Sequence, residues 1–420
     1  MSSLKKGVSI YLFSNILNSL IPFLLLPVLT RYLSPAQYGE IAIFLTLIAA
    51  YGAFAGSTFV GAINRKFFDG LAGNEYANYV GAGLQIIAAF SLLTAFFTFV
   101  FADELSNFLG ISNVWLNVAM LVAFLKVIIE IRLGQWQVRK RSGAYGSLQV
   151  SLSLINALLS IGAIVWLGFG PEGRMGAIFF ATFIGALVSI FLLLHSDLLS
   201  IHSKCLPYWR EILFFGLPLI PHVAGGFLLN SVDRFVIASQ IDLATAGLYM
   251  AGLQLVMIAS VIFDAVNKAY APWLFEKLNA NDSQEKVRIV IGSYVWFCVI
   301  WIGVLTAFYI GPALIELLLG SEFSGAAEFI GWLAIGQAFK GMYLMVTNYC
   351  FYAKKTGYLS MFSILTGCLN LFLLFFLVNS YGAIGAAYAY AIAMAVRFFL
   401  VWWHANKCHP MPWFKFMSIR

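Results

Sequence analysis

Twelve stretches of roughly 18 or more apolar residues follow one another along the chain, and each is long enough to cross a bilayer. A hydrocarbon layer about 30 Å thick takes about 20 residues of helix. Within it every backbone amide must find its partner inside the protein, which leaves helices as the answer for long apolar runs. The stretches are Val8–Thr30, Ile41–Ile63, Tyr79–Phe101, Val114–Leu133, Leu148–Phe169, Gly176–Leu194, Ile212–Val232, Leu243–Val266, Ile289–Ile310, Ala326–Ala353, Leu359–Val378 and Gly382–Trp403. With 61% hydrophobic and 10% charged residues, the chain sits far from the roughly one-quarter charged composition of soluble domains. It is expected to be an all-α integral membrane protein. The first run is too long for a signal peptide and no small-residue cleavage site follows it, so it is expected to remain as a span.

Lysine and arginine set the orientation, because they accumulate in short cytoplasmic loops. Alternate connections carry Lys5/Lys6, Arg65/Lys66, Arg139/Lys140/Arg141, Lys204/Arg210, Lys277/Lys286/Arg288, Lys354/Lys355 and the tail Lys407/Lys415/Arg420. The opposite connections carry Arg31, Arg174 and Arg234 together with acids such as Asp103, Glu104, Glu172, Asp242, Glu316 and Glu322. Both termini are therefore expected in the cytoplasm. The formal net charge of +7 follows from this asymmetry, and no nucleic-acid partner is needed to explain it.

The chain carries two copies of one plan. NILNSLIPFLLLPVLTRYLSPAQYG (Asn15–Gly39) holds Pro22 and Pro27 in an apolar run, then Arg31-Tyr32, a Ser-Pro turn and a Tyr-Gly start. Gly216–Tyr249 repeats the order with Pro218, Pro221 and Arg234-Phe235. Arg31 and Arg234 are 203 positions apart; Lys140-Arg141-Ser142-Gly143 with Asn156 recurs 214 positions on as Lys354-Lys355-Thr356-Gly357 with Asn370. Gly173-x-x-Gly176-Ala177 recurs 209 positions on as Gly382-x-x-Gly385-Ala386. Six spans per copy bring both halves in from the same side, so the repeats are parallel, an arrangement that places a substrate path between the halves. The expected domains are 1–200 and 201–420, two six-helix lobes joined by the amphipathic linker His195–Arg210. Small-residue faces at Gly81/Gly83, Gly176/Gly185 and Gly382/Gly385 with Ala386, Ala389 and Ala393 suit close helix packing.

Ionisable residues inside spans are expensive and face protein or water. The fourth span carries Lys126, Glu130 and Arg132, the seventh His222 and, at its end, Asp233-Arg234. The eighth carries Asp264 and Lys268, the tenth Lys340 and the twelfth Arg397. Lys126/Glu130 and Asp264/Lys268 are each four apart, on one helical face, and read either as structural ion pairs or as functional groups. Lys340 and Arg397 have no acid within a turn of their own helix. The surplus is positive, and such a lumen suits an anion, most naturally a phosphate. Arg31, Arg234, Lys126, Lys268, Lys340 and Arg397 are thus candidates for a phosphate path. Arg31 and Arg234 could equally cap helix ends. Glu130, Asp264, Asp233 and His222 are the candidates for ion coupling. The five cysteines show no CxxC pairing and are read as apolar fillers, with no metal site expected. Tryptophans near span ends, among them Trp115, Trp136 and Trp166, are read as interfacial anchors. The chain has no GxxxxGK[ST] loop, no HExxH and no long soluble segment, so it is not expected to be an enzyme.

The opening motif, N-x6-P-F-x3-P-x2-T-R-Y-L-S-P-x2-Y-G, resembles the start of bacterial O-antigen and polysaccharide flippases (Wzx-like), the polysaccharide-transporter branch of the MOP exporter superfamily. Asp233–Ile237 and Ala246–Tyr249 resemble that family's second half. The resemblance spans essentially the whole chain. It implies a MOP/MATE-like V-shaped pair of six-helix bundles working by alternating access in the bacterial inner membrane. The implied cargo is an undecaprenyl-diphosphate-linked oligosaccharide, moved from the cytoplasmic to the periplasmic leaflet. The resemblance also implies a proton or sodium gradient in place of any cofactor, contact with membrane lipids, and a polysaccharide polymerase and chain-length regulator as partners. In related lipid II flippases an arginine near the end of the first helix serves the diphosphate, and Arg31 matches it. A MATE-type multidrug/cation antiporter is the alternative, but cationic cargo favours an acid-rich lumen. A membrane-embedded glycosyltransferase or polymerase would need a large loop that this chain lacks.

The topology is testable directly. In a cysteine-free background, single cysteines at positions 141 and 355 are expected to resist an impermeant periplasmic reagent, while one at 104 reacts. Labelling of 141 and 355 from outside would remove the two-repeat orientation.

Overall fold

The computed structural model describes residues 2–71, 73–200, 206–280 and 282–414. Lys204, Lys415, Arg420, one of the five cysteines (Cys205) and the middle of the linker His195–Arg210 lie outside them. All regular structure among the described residues is helical, and twelve helices there are long and apolar enough to cross a membrane. Six of these end by His195 and six begin at Pro207, as the two-copy pattern requires.

The chain forms two compact units, Met1–Phe227 with Asp242–Gly247, and Leu228–Ile241 with Leu248–Arg420. The first contains α1 (Ser2–Tyr32), α2 (Pro35–Ala55), α3 (Ser57–Lys66), α4 (Asn74–Val100), α5 (Ala102–Leu109), α6 (Asn113–Val138), α7 (Ser142–Ile161), α8 (Gly170–His195) and α9 (Leu206–Gly216). The chain passes to the second unit within α10 (Ile220–Asn230). There follow α11 (Asp233–Gln240), α12 (Leu243–Asn279), α13 (Ser283–Tyr309), α14 (Gly311–Leu319), α15 (Ala327–Tyr352), α16 (Gly357–Tyr381) and α17 (Ile384–Cys408). In the first unit Phe59, Ile63, Tyr79, Ile87, Val127 and Ile212 bring α3, α4, α6 and α9 into one apolar core. Side chains such as Leu92, Phe99, Phe191, Ile302 and Phe376 stay exposed, forming the surface a bilayer would cover.

The two proline-bearing segments share a sequence plan but not a backbone. Pro22 and Pro27 sit inside α1, which remains one helix. Pro218 and Pro221 lie only three apart after Gly216, and there the helix breaks: α9 stops at Gly216, a 3-10 turn covers Leu217–Leu219, and α10 restarts. Each proline removes an amide from the i→i−4 ladder, and two such losses within one turn leave too few bonds to carry the helix through. The turn after α1 is built as its residues dictate. Ser34 Oγ accepts from the Gln37 amide (3.3 Å), Gln37 Oε1 accepts from the Ser34 amide (3.0 Å), and Pro35 occupies the first turn where no donor is needed. In the second copy Asp242 does the capping, accepting from the Thr245 amide at 2.7 Å.

The Lys-x-[Ser/Thr]-Gly landmark is repeated in backbone as well as sequence. Lys140 and Lys354 both adopt left-handed conformations, φ 58° and 57°. In each turn the following amide reaches back five residues, Arg141 to the Trp136 carbonyl (2.8 Å) and Lys355 to the Cys350 carbonyl (3.0 Å), closing the helix in a Schellman motif. The glycine landmark holds less well. Gly173 lies within α8, whereas Gly382 (φ +68°) is the turn before α17.

Packing follows small residues only where helices touch. In the second unit α15 lies against α17, with Ala386, Ala389 and Ala393 fully buried. A Cβ on Gly336 would sit 2.3 Å from the Tyr390 ring, while one on Gly176 meets nothing nearer than 4.0 Å. Gly336→Val is therefore expected to cost about 1–3 kcal/mol of overpacking and to lower the thermal midpoint in detergent. Gly176→Ala should leave it unmoved, and equal midpoints for the two variants would contradict the packing.

Candidate functional site

In the first unit one cluster of polar side chains lies on α6, α7 and α8. Pro171 occupies the first turn of α8, and three residues on Arg174 enters the helix almost wholly buried. Its Nη1 donates to Asn156 Oδ1 (2.5 Å) and to Ser160 Oγ, both on α7. Its Nε–H meets no acceptor among the described residues. Arg174 also acts electrostatically on Lys126 of α6, whose side chain, like that of Glu130, is exposed. Lys126 and Glu130 feel each other's charge but do not close to an ion pair within 4.0 Å. The order explains this, since Lys placed N-terminal to Glu is the weaker i,i+4 arrangement.

A second cluster lies within the other unit, on α12, α15, α16 and α17. Lys340 Nζ donates to Ser260 Oγ (3.1 Å), Ser260 donates to Gln337 Oε1 (2.5 Å), and Gln337 Nε2 donates to the Tyr390 hydroxyl (3.0 Å). Arg397 lies over the Tyr343 ring at 4.3 Å, and its Nη2 donates to the Tyr343 hydroxyl (3.2 Å) and to Ser363 Oγ (3.1 Å). Its Nε–H again has no acceptor among the described residues. Both Asp264 and Arg397 act on the Lys340 charge. Lys340 therefore has an acidic neighbour after all, supplied by α12 rather than by its own helix. The i,i+4 partner Lys268 is exposed and closes no ion pair with Asp264. Each unit thus sets two cations against one acid: Lys126 and Arg174 with Glu130, Lys340 and Arg397 with Asp264.

The remaining candidates are placed differently. Arg31, in the last turn of α1, is exposed and has no ion-pair partner among the described residues. Arg234, its counterpart in sequence, is buried: Nη1 donates to the Asn230 (3.2 Å) and Ser231 (3.5 Å) carbonyls and Nε lies 3.8 Å from Asp233. Asp233 in turn accepts from the Tyr249 hydroxyl at 2.5 Å and from the Arg234 amide at 3.0 Å. Arg234 is therefore a helix-end cap within a buried network. His222 is half-buried near the start of α10. Trp136, expected as an anchor, is buried with Arg132 stacked at 4.2 Å.

A cavity of about 320 Å³ opens elsewhere, lined by Arg65, Lys66, Tyr79, Glu211 and Phe214 among others. Lys66 is already neutralised there. It bonds Glu211 at 2.8 Å and Asp69 at 3.3 Å, and hydrogen bonding to Glu211 holds its ammonium above the ordinary lysine range.

Sequence reasoning missed Arg174, Asn156, Ser260, Gln337 and Tyr390 as members of these clusters. For Arg174 a signal existed: Gly-Pro-Glu-Gly reads as a helix start with proline in the first turn, which would have carried the arginine inside the helix.

The profile of a family described as polysaccharide biosynthesis protein matches residues 4–278. An uncharacterised membrane protein of Haemophilus influenzae is 30% identical across 87% of this chain and 88% of its own length. A putative O-antigen transporter of Shigella flexneri is 22% identical across 96% of this chain and 97% of its own. Among solved structures, the lipid II flippase MurJ in an inward closed conformation superposes with a TM-score of 0.74 at 13% identity, over 98% of this chain and 89% of that one. The chain belongs to the polysaccharide biosynthesis protein family.

The buried and exposed arginines separate in a stability experiment. Asp233→Asn leaves Arg234 buried without its counter-charge and is expected to cost about 3–5 kcal/mol. Arg31→Ala, at an exposed position, should stay within about 0.5 kcal/mol of the parent. Thermal midpoints in detergent check both, and an unaffected Asp233→Asn protein would refute the buried pair.

Proposed function

We propose that this protein is a flippase for an undecaprenyl-diphosphate-linked oligosaccharide, carrying it from the cytoplasmic to the periplasmic leaflet of the bacterial inner membrane. Transport proceeds by alternating access, is driven by a proton or sodium gradient, and leaves both termini in the cytoplasm. Family membership and the MurJ-like fold support the flippase class. The observation that carries the cargo assignment is the charge balance of the two clusters, in which cations outnumber acids and both arginines keep a buried Nε–H unspent. An unsatisfied donor away from water costs about 1–3 kcal/mol, and a diphosphate supplies the acceptor oxygens that would remove that cost. A cationic drug would meet repulsion at the same positions. The chemistry asked of the protein is binding and release, with no bond made or broken. A polysaccharide polymerase and a chain-length regulator would take up the product on the far side.

Loss of one charge-assisted contact is worth about 1.5–3 kcal/mol, roughly ten- to a hundredfold in affinity. Arg174→Ala, Lys340→Ala and Arg397→Ala are each expected to lower surface polysaccharide in cells whose own flippase is deleted, at equal membrane expression. Parental export from all three variants would reject the diphosphate assignment. Coupling is read separately in proteoliposomes: if Glu130 or Asp264 exchanges the ion, Glu130→Gln or Asp264→Asn abolishes gradient-driven transport while cargo binding persists. Gradient-driven transport undiminished in both would exclude these two acids.

A further inference from the structure

The sequence treats the cysteines one at a time, as fillers, but the fold collects two of them with a histidine. Cys350 lies in the last turn of α15, and His404 and Cys408 lie one turn apart on α17. Cys350 Sγ, a His404 ring nitrogen and Cys408 Sγ all lie within 4.8 Å of one another, with Cys408 Sγ 3.3 Å from His404 Nε2. We infer that Cys350, His404 and Cys408 form a binding site for a zinc-class divalent cation that ties the end of α15 to the end of α17.

Three features carry this. The first is geometric. Zinc holds thiolate sulfur at about 2.3 Å and imidazole nitrogen at about 2.0–2.1 Å in a tetrahedron, which sets neighbouring ligand atoms about 3.5–3.8 Å apart. The three atoms already lie within 4.8 Å of one another, with Cys408 Sγ and His404 Nε2 at 3.3 Å, so movements of about 1 Å close the site. Second, the charges balance. Two thiolates and a neutral imidazole around a divalent ion sum to zero, which suits a place where Cys350 is fully buried and His404 nearly so. Third, the ligands are held. Tyr358 packs on the His404 ring at 4.6 Å and Phe362 at 5.8 Å, edge-on, fixing its orientation. The helices beneath are locked by the close Gly336–Tyr390 approach. Half-exposed Cys408 leaves a way in and room for a water as fourth ligand. On the orientation proposed above, this end faces the cytoplasm, where thiols stay reduced.

The test uses full-length protein in detergent, purified without a histidine tag, reduced and stripped with chelator. Titration with cobalt(II) is expected to give the sulfur-to-metal charge-transfer band and the visible bands of a tetrahedral site, saturating at one ion per chain. Zinc should displace cobalt and raise the thermal midpoint. Cys350→Ser, Cys408→Ser and His404→Gln should each weaken binding beyond the roughly 10–100-fold lost when an outer partner of a metal site is removed. A Cys298→Ser/Cys368→Ser protein should bind as the parent does. Absence of the charge-transfer band in the parent overturns the site whatever the variants do. So does a band that survives loss of either cysteine, or thiol trapping in cells that finds Cys350 and Cys408 joined as a disulfide.

Discussion

Inside a bilayer, a polar group without a partner has no water to turn to, and each such group costs several kcal/mol. This one constraint orders the structure. It makes every span a helix, and it decides how helices that carry polar side chains meet. The α12–α15 seam shows it most clearly. Ser260 meets Gln337 (2.5 Å), Asn267 meets Asn348 (2.7 Å), and Asn279 meets Tyr352 (2.9 Å), so the two helices are joined along their length by side-chain hydrogen bonds. The α15–α17 contact next to it is the opposite kind, with glycine and alanine letting backbones approach. A helix joined by a polar seam can exchange partners at modest cost, because hydrogen bonds within membranes average well below their vacuum strength. One joined by interdigitated small residues cannot shift without opening voids.

The same constraint explains why the two sequence-equivalent arginines behave differently. Arg31 ends a continuous helix and remains exposed, so its charge is available. Arg234 follows a helix broken by Pro218 and Pro221, and there it donates to the carbonyls of Asn230 and Ser231. Symmetry of sequence therefore does not carry over into symmetry of role. The cations that do correspond in environment, Arg174 and Arg397, occupy quite different places in their copies. One opens a span and the other lies in the middle of one, yet each donates to a neighbouring helix and holds an Nε–H in reserve.

Much of the fold was legible because hydropathy over a bilayer thickness is a coarse, additive signal: twelve spans, two copies and the Ser34 cap need only local rules. The recurrence of Lys-x-[Ser/Thr]-Gly at a fixed offset was legible, but the left-handed turn was not, since nothing in the motif announced that lysine, and not glycine, would take positive φ. The site was far less legible. Asp264 reaches Lys340 across 76 positions, and Ser260 reaches it across 80. Pairings at that separation depend on which faces two helices turn to each other, and a single chain does not write that in its periodicity. Local rules in fact misled, because i,i+4 spacing proposed Lys126–Glu130 and Asp264–Lys268 as ion pairs, and neither closes. Cys350, His404 and Cys408 were hidden for the same reason.

The chain of bonds in the second unit also bears on the ion coupling proposed above. Asp233 is bonded to Tyr249 and acts on Tyr390, and Tyr390 leads through Gln337 and Ser260 to Lys340, beside Asp264. Two acids considered for coupling are thus linked, which invites the idea of a proton path between them. Gln337 blocks it. A carboxamide neither gains nor loses a proton near neutral pH, and its oxygen and nitrogen are both engaged, by Ser260 and Tyr390. The link can transmit orientation, holding Lys340 where Ser260 accepts from it, but it does not conduct a proton. On the coupling role proposed above for Asp264, the exchanged ion would reach it from the space its exposed side chain faces, and not along this chain of bonds. Asp233, buried and satisfied by Arg234 and Tyr249, is built to hold the bend after α10 in place.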